Sequence, residues 1–459
     1  MRRLTIRLHR IQWELGAREE RVAGIVVGAL AFAGLAFTQI TGVGTPAGAA
    51  LTYMAAMDRG DSAYVWNHSI IESAKVSTGD KALLDRNALA AQLTSTVHTR
   101  ARFKVEGVSI ENGGTKVSIS YNTSAGHRTA SLFLRGGAPH TWSVVVEPSR
   151  LDLNIPAGAG ALGIDGTSLA AQPGSELKLS VLPGIHKVTL AASEMYESYS
   201  GQIDAETASP ALTPVSFANV LVTEAGRTQA KQAVIKAFQL CVKSTSLAPS
   251  GCPQALPETD LATGGVRWIL LGDPTSSSTV GLDEKSVLDV SGHFVMKLSY
   301  GSQRLHRDRL LGVGSSYMAV LVWDGQTFKL SSFQDASAVA DVVRPTATDP
   351  QVLGALKAHF ISCQAIQVSE LPGCPQSVVA LFASKFVWHE TSDPAQGATL
   401  AWDGKRSLFT VAGSYAFSVE YNSTPPYTRL ERIHDSSSGE FTADLYWDGA
   451  KVVFIGLEK

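Results

Sequence analysis

Apolar residues fall along this chain in three regimes. From Val22 to Val43 they form one run, VAGIVVGALAFAGLAFTQITGV, and no charge occurs between Val22 and Met57. These 22 residues would span about 33 Å as a helix, against about 30 Å of bilayer hydrocarbon, which predicts one transmembrane helix over 22–43. Thr41 to Ala50, mostly Gly, Thr, Pro and Ala, reads as a spacer. The spacing then turns helical. Ala50, Met54 and Met57, then Tyr64, Val65, Ile70 and Ile71, predict two short helices broken at Arg59-Gly60-Asp61, and a third is expected from Lys81 to Val97. From Phe103 onward alternation prevails. Strands are predicted over 103–110, 116–121, 128–134 and 141–146, and from Leu151 to Val222 shorter strands alternate with Gly and Pro. There Ile164-Asp165-Gly166 reads as a hairpin turn, followed by alternating Leu177, Leu179 and Val181, then Pro183-Gly184, then Val188 and Leu190.

The second half repeats itself. Phe238, Cys241 and Cys252-Pro253-Gln254 match Phe360, Cys363 and Cys374-Pro375-Gln376, and Trp323-Asp324-Gly325 matches Trp447-Asp448-Gly449. Matches that drift so little mean a duplicated domain, with repeats over 226–340 and 349–459. Each repeat begins with a helix, near Thr228 to Val242 and Gln351 to Cys363, and continues into strands. On an exported chain, two cysteines per repeat at identical spacing predict the disulfides Cys241–Cys252 and Cys363–Cys374. Zinc is the competing reading, but no CxxC or neighbouring His pair supplies four ligands. The Trp-Asp-Gly motifs at Trp323, Trp402 and Trp447 read first as two-residue hairpin turns. The sharper reading makes these three tryptophans ligand-facing aromatics for sugars.

Charge sets the expected topology. The first 21 residues hold six arginines against three glutamates, a formal +3, and the whole chain carries −2. The positive-inside rule then places a basic tail (1–21) in the cytoplasm and the bulk outside. Ala47-Gly48-Ala49 supports the rival reading of a cleaved signal peptide. Gly24 and Gly28 form a GxxxG that would bring two helices together as a homodimer. A chain with 44% hydrophobic and 17% charged residues has ample core, and it lacks the basic footprint of a nucleic-acid binder.

Several stretches resemble known families. Helices followed by a four-stranded meander over 47–148, headed by ALTYMAAMDRGDSAYVW, look like the nuclear transport factor 2-like family of cone-shaped α+β domains. That resemblance implies a cone able to hold an acid-base group, with Asp58, Asp61, His68 and His98 as candidates, although Asp58 and Asp61 are also explained by turn and N-cap duty. Gly163 to Leu190 resembles the PEGA-type β modules of bacterial envelope proteins, which implies a spacer or wall-proximal surface module within 149–222. The disulfide-looped repeats look like those of single-pass envelope proteins of actinobacteria, and their helix-on-sheet pattern suggests cystatin-like or nuclear transport factor 2-like units.

No nucleophile elbow, SxxK, HExxH, Walker loop or dinucleotide fingerprint is present. His389-Glu390 should point to opposite strand faces, and His434-Asp435, before Ser-Ser-Ser-Gly, reads as a turn. The expected fold class is therefore an α+β multidomain ectodomain on one transmembrane helix. The expected function is a membrane-anchored, non-catalytic binding or structural protein of the envelope, without cofactor or metal. Its expected partners are the lipid bilayer and cell-wall glycan or an envelope protein. A tethered sensor acting through the tail, or a cone enzyme, is the alternative.

Overall fold

A computed structural model describes residues 44–95, 102–111, 113–123, 126–136, 141–205, 213–256, 262–303, 307–334, 336–380, 382–423 and 430–459. Strands hold 48% of them and helices 17%. This overturns the expected α+β class: five helices serve five sheets, and the mass of each unit is strand. The physical reason lies in the hairpins, whose alternating apolar positions run on through Gly and Ser where breaks were expected. The 22–43 segment, with Gly24 and Gly28, lies outside the described residues. Among the described residues no helix is long and apolar enough to cross a membrane. The single-pass placement, N-terminus inside and bulk outside, is corrected accordingly.

The chain divides into two compact units. The first runs to Gly226 and includes Leu282–Val287. Its α1 (Pro46–Asp58) is the helix expected from Ala50, begun four residues earlier inside the expected spacer. Thr45 Oγ1 accepts from Gly48 N at 3.0 Å and Pro46 occupies the first turn, so the start signals of a helix are present. Ala47-Gly48-Ala49 therefore sits inside a helix. After the expected break, Asp61 caps α2 (Ser62–Asn67) by accepting from Tyr64 N at 3.0 Å.

β1 (Ser69–Ile71) follows, then β2 (Lys81–Leu83), which replaces the expected first turn of the third helix, and α3 (Arg86–Ser95). The meander β3 (Phe103–Glu111), β4 (Gly114–Thr123), β5 (Gly126–Gly136) and β6 (Trp142–Val146) matches the alternation. β1 closes this sheet parallel to β6, in the order β1-β6-β5-β4-β3. Tyr53, Met54 and Met57 of α1 pack on Val117, Ile119, Leu132, Leu134 and Val144.

Seven more strands complete the unit: β7 (Ser149–Asn154), β8 (Leu162–Ile164), β9 (Thr167–Leu169), β10 (Glu176–Val181), β11 (Gly184–Leu190), β12 (Tyr199–Ala205) and β13 (Thr213–Val215). They form the sheets β13-β7-β10-β2 and β12-β11-β8-β9. β2 thus pairs parallel to β10, far along the chain. Asp80 beside it, half-buried with its carboxylate turned inward, accepts from Arg150 Nε at 2.9 Å and from Ser180 Oγ at 3.1 Å.

The second unit comprises Arg227–Gly281 and Leu288–Lys459. α4 (Glu224–Cys241) leads into β14 (Ala262–Leu271), β15 (Thr279–Leu282), β16 (Leu288–Ser302), β17 (Arg307–Trp323) and β18 (Phe328–Gln334). α5 (Asp349–Gln364) leads likewise into β19 (Ala383–Glu390), β20 (Thr399–Asp403), β21 (Leu408–Ser423), β22 (Glu431–Trp447) and β23 (Val452–Glu458). The sheets run β14-β16-β17-β18 and β19-β21-β22-β23, with β15 on β16 and β20 on β21. His434-Asp435 and the following serines, expected as a turn and loop, lie in mid-strand β22, where Ser437 pairs with Phe417.

Phe238 of α4 packs its ring 5.4, 5.2 and 5.3 Å from Phe294, Tyr317 and Phe333. Val352, Leu356 and Phe360 of α5 pack on Trp388, Phe417 and Phe441. The repeats share a third cluster of Val295 and Leu271 with Leu408, Ile455 and Tyr446. Gly314 is required at this junction, because a Cβ there would stand 1.8 Å from Arg406 O.

Both predicted disulfides are present, Cys241–Cys252 and Cys363–Cys374. Each loop is held twice more. The Gln254 and Gln376 amides donate to Cys241 O and Cys363 O at 3.2 and 2.7 Å. The Trp268 and Trp388 indoles donate to Ser246 O and Val368 O at 2.9 and 3.0 Å. The shared Cys-Pro-Gln and Trp positions therefore form one clasp per repeat.

Candidate binding site

The residues singled out as cone groups do not converge. Asp61 is a helix cap, and His68 Nδ1 donates to Tyr64 O at 2.8 Å, with its ring stacked 4.0 Å from that of Tyr64. His98 lies outside the described residues. The cavity against α1 holds about 30 Å³ and is lined mainly by apolar side chains with Tyr53 and Ser69; Asp58, Asp61 and His68 do not reach it.

The tryptophans of the Trp-Asp-Gly motifs are half-buried on core faces. Trp402 and Trp447 share the face of Phe409 and Leu445, and Trp402 Nε1 donates to Val342 O at 2.9 Å. Trp323 packs 5.0 Å from Phe328. The aspartates beside them hold turns: Asp324 Oδ1 accepts from Gln326 N and Thr327 N at 3.0 and 2.8 Å, and Asp448 Oδ1 accepts from Ala450 N and Lys451 N at 2.9 and 2.8 Å. Four residues separate β17 from β18, where a two-residue turn was expected. His389 is exposed, while Glu390 on the opposite face accepts from Gln364 Nε2 at 3.0 Å and is pushed up by burial.

A groove of about 450 Å³ lies instead on the β12-β11-β8-β9 sheet of the first unit. Leu162, Ile164, Leu169, Val188 and Leu190 face the core, so alternation turns their neighbours outward. Register then aligns Ser168, Gly163, Thr189 and Ser200 in one row across four strands, with Lys187 opposite Gln202 in the next. Thr189 and Ser200 thus stand on neighbouring strands about 4.8 Å apart, and Ser168 stands one strand further across Gly163, which is buried under Thr189, whose hydroxyl donates to Gly163 O at 3.4 Å. A Cβ there would meet Thr189 Oγ1 at 2.6 Å. Tyr199, opposite Leu190, turns its ring to the core face, edge-on to Phe217 at 5.7 Å. Lys187 is exposed and forms no ion pair among the described residues.

A buried clasp shapes this surface from beneath. Asp165 takes the left-handed φ of 50° in the β8–β9 turn, and its Oδ1 accepts from Lys187 N at 2.8 Å. Its Oδ2 lies 2.7 Å from His186 Nδ1, and His186 Nε2 lies 2.6 Å from Leu182 O. Both side chains are buried. Both ring nitrogens of His186 are thus engaged by oxygens inside the fold. The pair positions the Lys187 backbone. Gln92 of α3 adds a hydrogen bond to Pro183 O at 3.2 Å.

Sequence reasoning found the strands of this sheet but passed over Lys187, Ser168, Thr189 and Ser200. The alternation of Val188 and Leu190 held the signal for Lys187 and Thr189; the cross-strand register did not show locally. No protein-family model matches the chain, and comparison with curated proteins gives no match.

Proposed function

We propose that this is an exported, non-catalytic binding protein whose groove over Gly163 takes a polyhydroxylated cell-wall glycan. The observation that carries the reading is the cross-strand row Ser168, Thr189 and Ser200 beside Lys187, in a groove of about 450 Å³. That volume is in the range of small-ligand sites. Side-chain hydroxyls on adjacent strands can each exchange a hydrogen bond with a sugar hydroxyl, and an ammonium at the margin favours glycans that carry a carboxylate. Two disulfides in an otherwise cysteine-free chain support an oxidising, extracellular setting.

Co-sedimentation of the oxidised chain with purified peptidoglycan sacculi tests the reading. Thr189→Val and Lys187→Ala should each weaken pelleting about 5- to 10-fold, the size of one lost hydrogen bond. Gly163→Val should abolish it by pushing Thr189 out of the row. Pelleting that survives all three substitutions, or none with the unaltered chain, would overturn the proposal.

A further inference from the structure

α5 sets His359 and Cys363 four residues apart on one face, and the loop after it returns Cys374 to the same spot. His359 Nε2 lies 3.6 Å from Cys363 Sγ, and one donor atom from each of His359, Cys363 and Cys374 falls within 4.8 Å of the others. In tetrahedral zinc sites, with bonds of about 2.3 Å to sulfur and about 2.0 Å to nitrogen, an S···N edge is about 3.5 Å and an S···S edge about 3.8 Å. His359 therefore already stands one coordination edge from Cys363. Only the two sulfurs must part.

We propose that the Cys363–Cys374 disulfide is a latent metal site: once reduced, its two thiolates and the His359 imidazole bind one borderline-soft divalent cation of the zinc class. The electrons and protons balance. A dithiol reductant is oxidised to its disulfide as the Cys363–Cys374 bond takes up two electrons and two protons, and the cation then displaces the two thiol protons to solvent. His359 Nε2 now donates to Gly373 O at 2.7 Å, and that ring nitrogen presents a lone pair when its proton is carried on Nδ1 instead. Water fills the fourth position.

Two features prepare the site. The loop does not depend on its disulfide alone, since Gln376 holds Cys363 O, Trp388 holds Val368 O, and Cys374 N donates to Leu371 O at 3.1 Å. The His359 ring is stacked 3.5 Å from Phe454, which fixes its orientation. The charge of Lys297, which acts on the same ring, opposes a cation bound there. The first repeat supplies an internal control. It carries the same disulfide and the same Gln and Trp clasp, but the position 122 residues before His359 is Ala237.

Cobalt(II) titration of the full chain, reduced with a phosphine that does not bind metal, tests this by the thiolate-to-metal charge-transfer band. One ion per chain is expected after reduction and none before. Cys241→Ser/Cys252→Ser should keep that ion, while His359→Ala should weaken binding about 10-fold or more. Lys297→Ala should tighten it. Intact-mass counting of both disulfides in oxidised His359→Ala shows that the variant has folded. No charge-transfer band, binding indifferent to His359, or binding that maps to Cys241 and Cys252 would overturn the proposal.

Discussion

Arg406 donates to the carboxylate of Asp444 at 2.7 Å, and the same guanidinium donates to Gly312 O at 2.7 Å, so one arginine of the second repeat ties its own strand β22 to β17 of the first. Asp444 is largely buried; burial raises its pKa, and Arg406 and the Gly312 N–H oppose the rise. Arg406→Ala would leave that carboxylate without its counter-charge. The expected loss is about 2–3 kcal/mol, the low end for a broken buried pair because Arg406 is about a third exposed. Urea denaturation should show the loss, and Arg406→Ala/Asp444→Asn should recover part of it. A double variant as unstable as Arg406→Ala would mean that the stranded charge was not the cause.

Asp80 supplies a pH dependence of definite sign. Its hydrogen bond from Arg150, assisted by Ser180, holds its carboxyl below the usual carboxylate range. A carboxyl lowered on folding stabilises fully above its unfolded pKa of about 3.9 and loses that contribution as pH falls through the folded value. Asp80→Asn should therefore be less stable than the unaltered chain at pH 7, with the gap closing in acid below about pH 4. Denaturation midpoints at pH 7, 5 and 3 measure it. A constant gap would assign the effect to packing.

Each disulfide closes a short loop, and removing either pair as Cys241→Ser/Cys252→Ser or Cys363→Ser/Cys374→Ser should cost about 3 kcal/mol in the chain-entropy model. The Gln and Trp clasp is the same in both repeats, so the two losses should agree within about 1 kcal/mol. A much smaller loss in one repeat would show that its loop is held mainly by the clasp.

What the sequence revealed and what it hid divide along the range of the interaction. The helix break at Arg59-Gly60-Asp61, the meander strands and the disulfides are written in neighbouring residues or in an exact repeat. β2 was hidden because Lys81–Leu83 becomes a strand only by pairing with Leu179–Val181. The length of β22 was hidden because the run Ser436 to Gly439 has turn-like composition, yet it is enforced by pairing with β21 from Tyr415 to Ser418. Arg406 and Asp444 have no partner-like signal, since the equivalent positions of the first repeat are Ser286 and Val320. The hydroxyl row of the groove exists only in register.

Trp402 separates the two roles considered for the tryptophans. Its indole N–H bonds Val342 O and its ring packs 4.9 Å from Phe409. Trp402→Phe keeps most of the ring and loses the hydrogen bond, so it should cost about 1 kcal/mol and leave sacculus pelleting unchanged. Lost pelleting at retained stability would instead make Trp402 a sugar-facing aromatic.

Asp165 allows the clasp under the groove to be dissected. Asn tolerates the left-handed φ that Asp165 adopts and keeps an oxygen for Lys187 N, while its amide gives up the charged acceptor at His186. Ala loses both hydrogen bonds and adds backbone strain of about 1–2 kcal/mol. Asp165→Asn should therefore cost about 1–2 kcal/mol and Asp165→Ala about 3 kcal/mol or more. Because the Lys187 backbone is aligned by Asp165, glycan binding should fall in the same order. Circular dichroism through a urea series gives the first comparison, and sacculus pelleting of the folded fraction gives the second. Equal losses from Asn and Ala would place the whole effect in the charge on Asp165. A larger loss from Asn would show that the turn conformation contributes nothing.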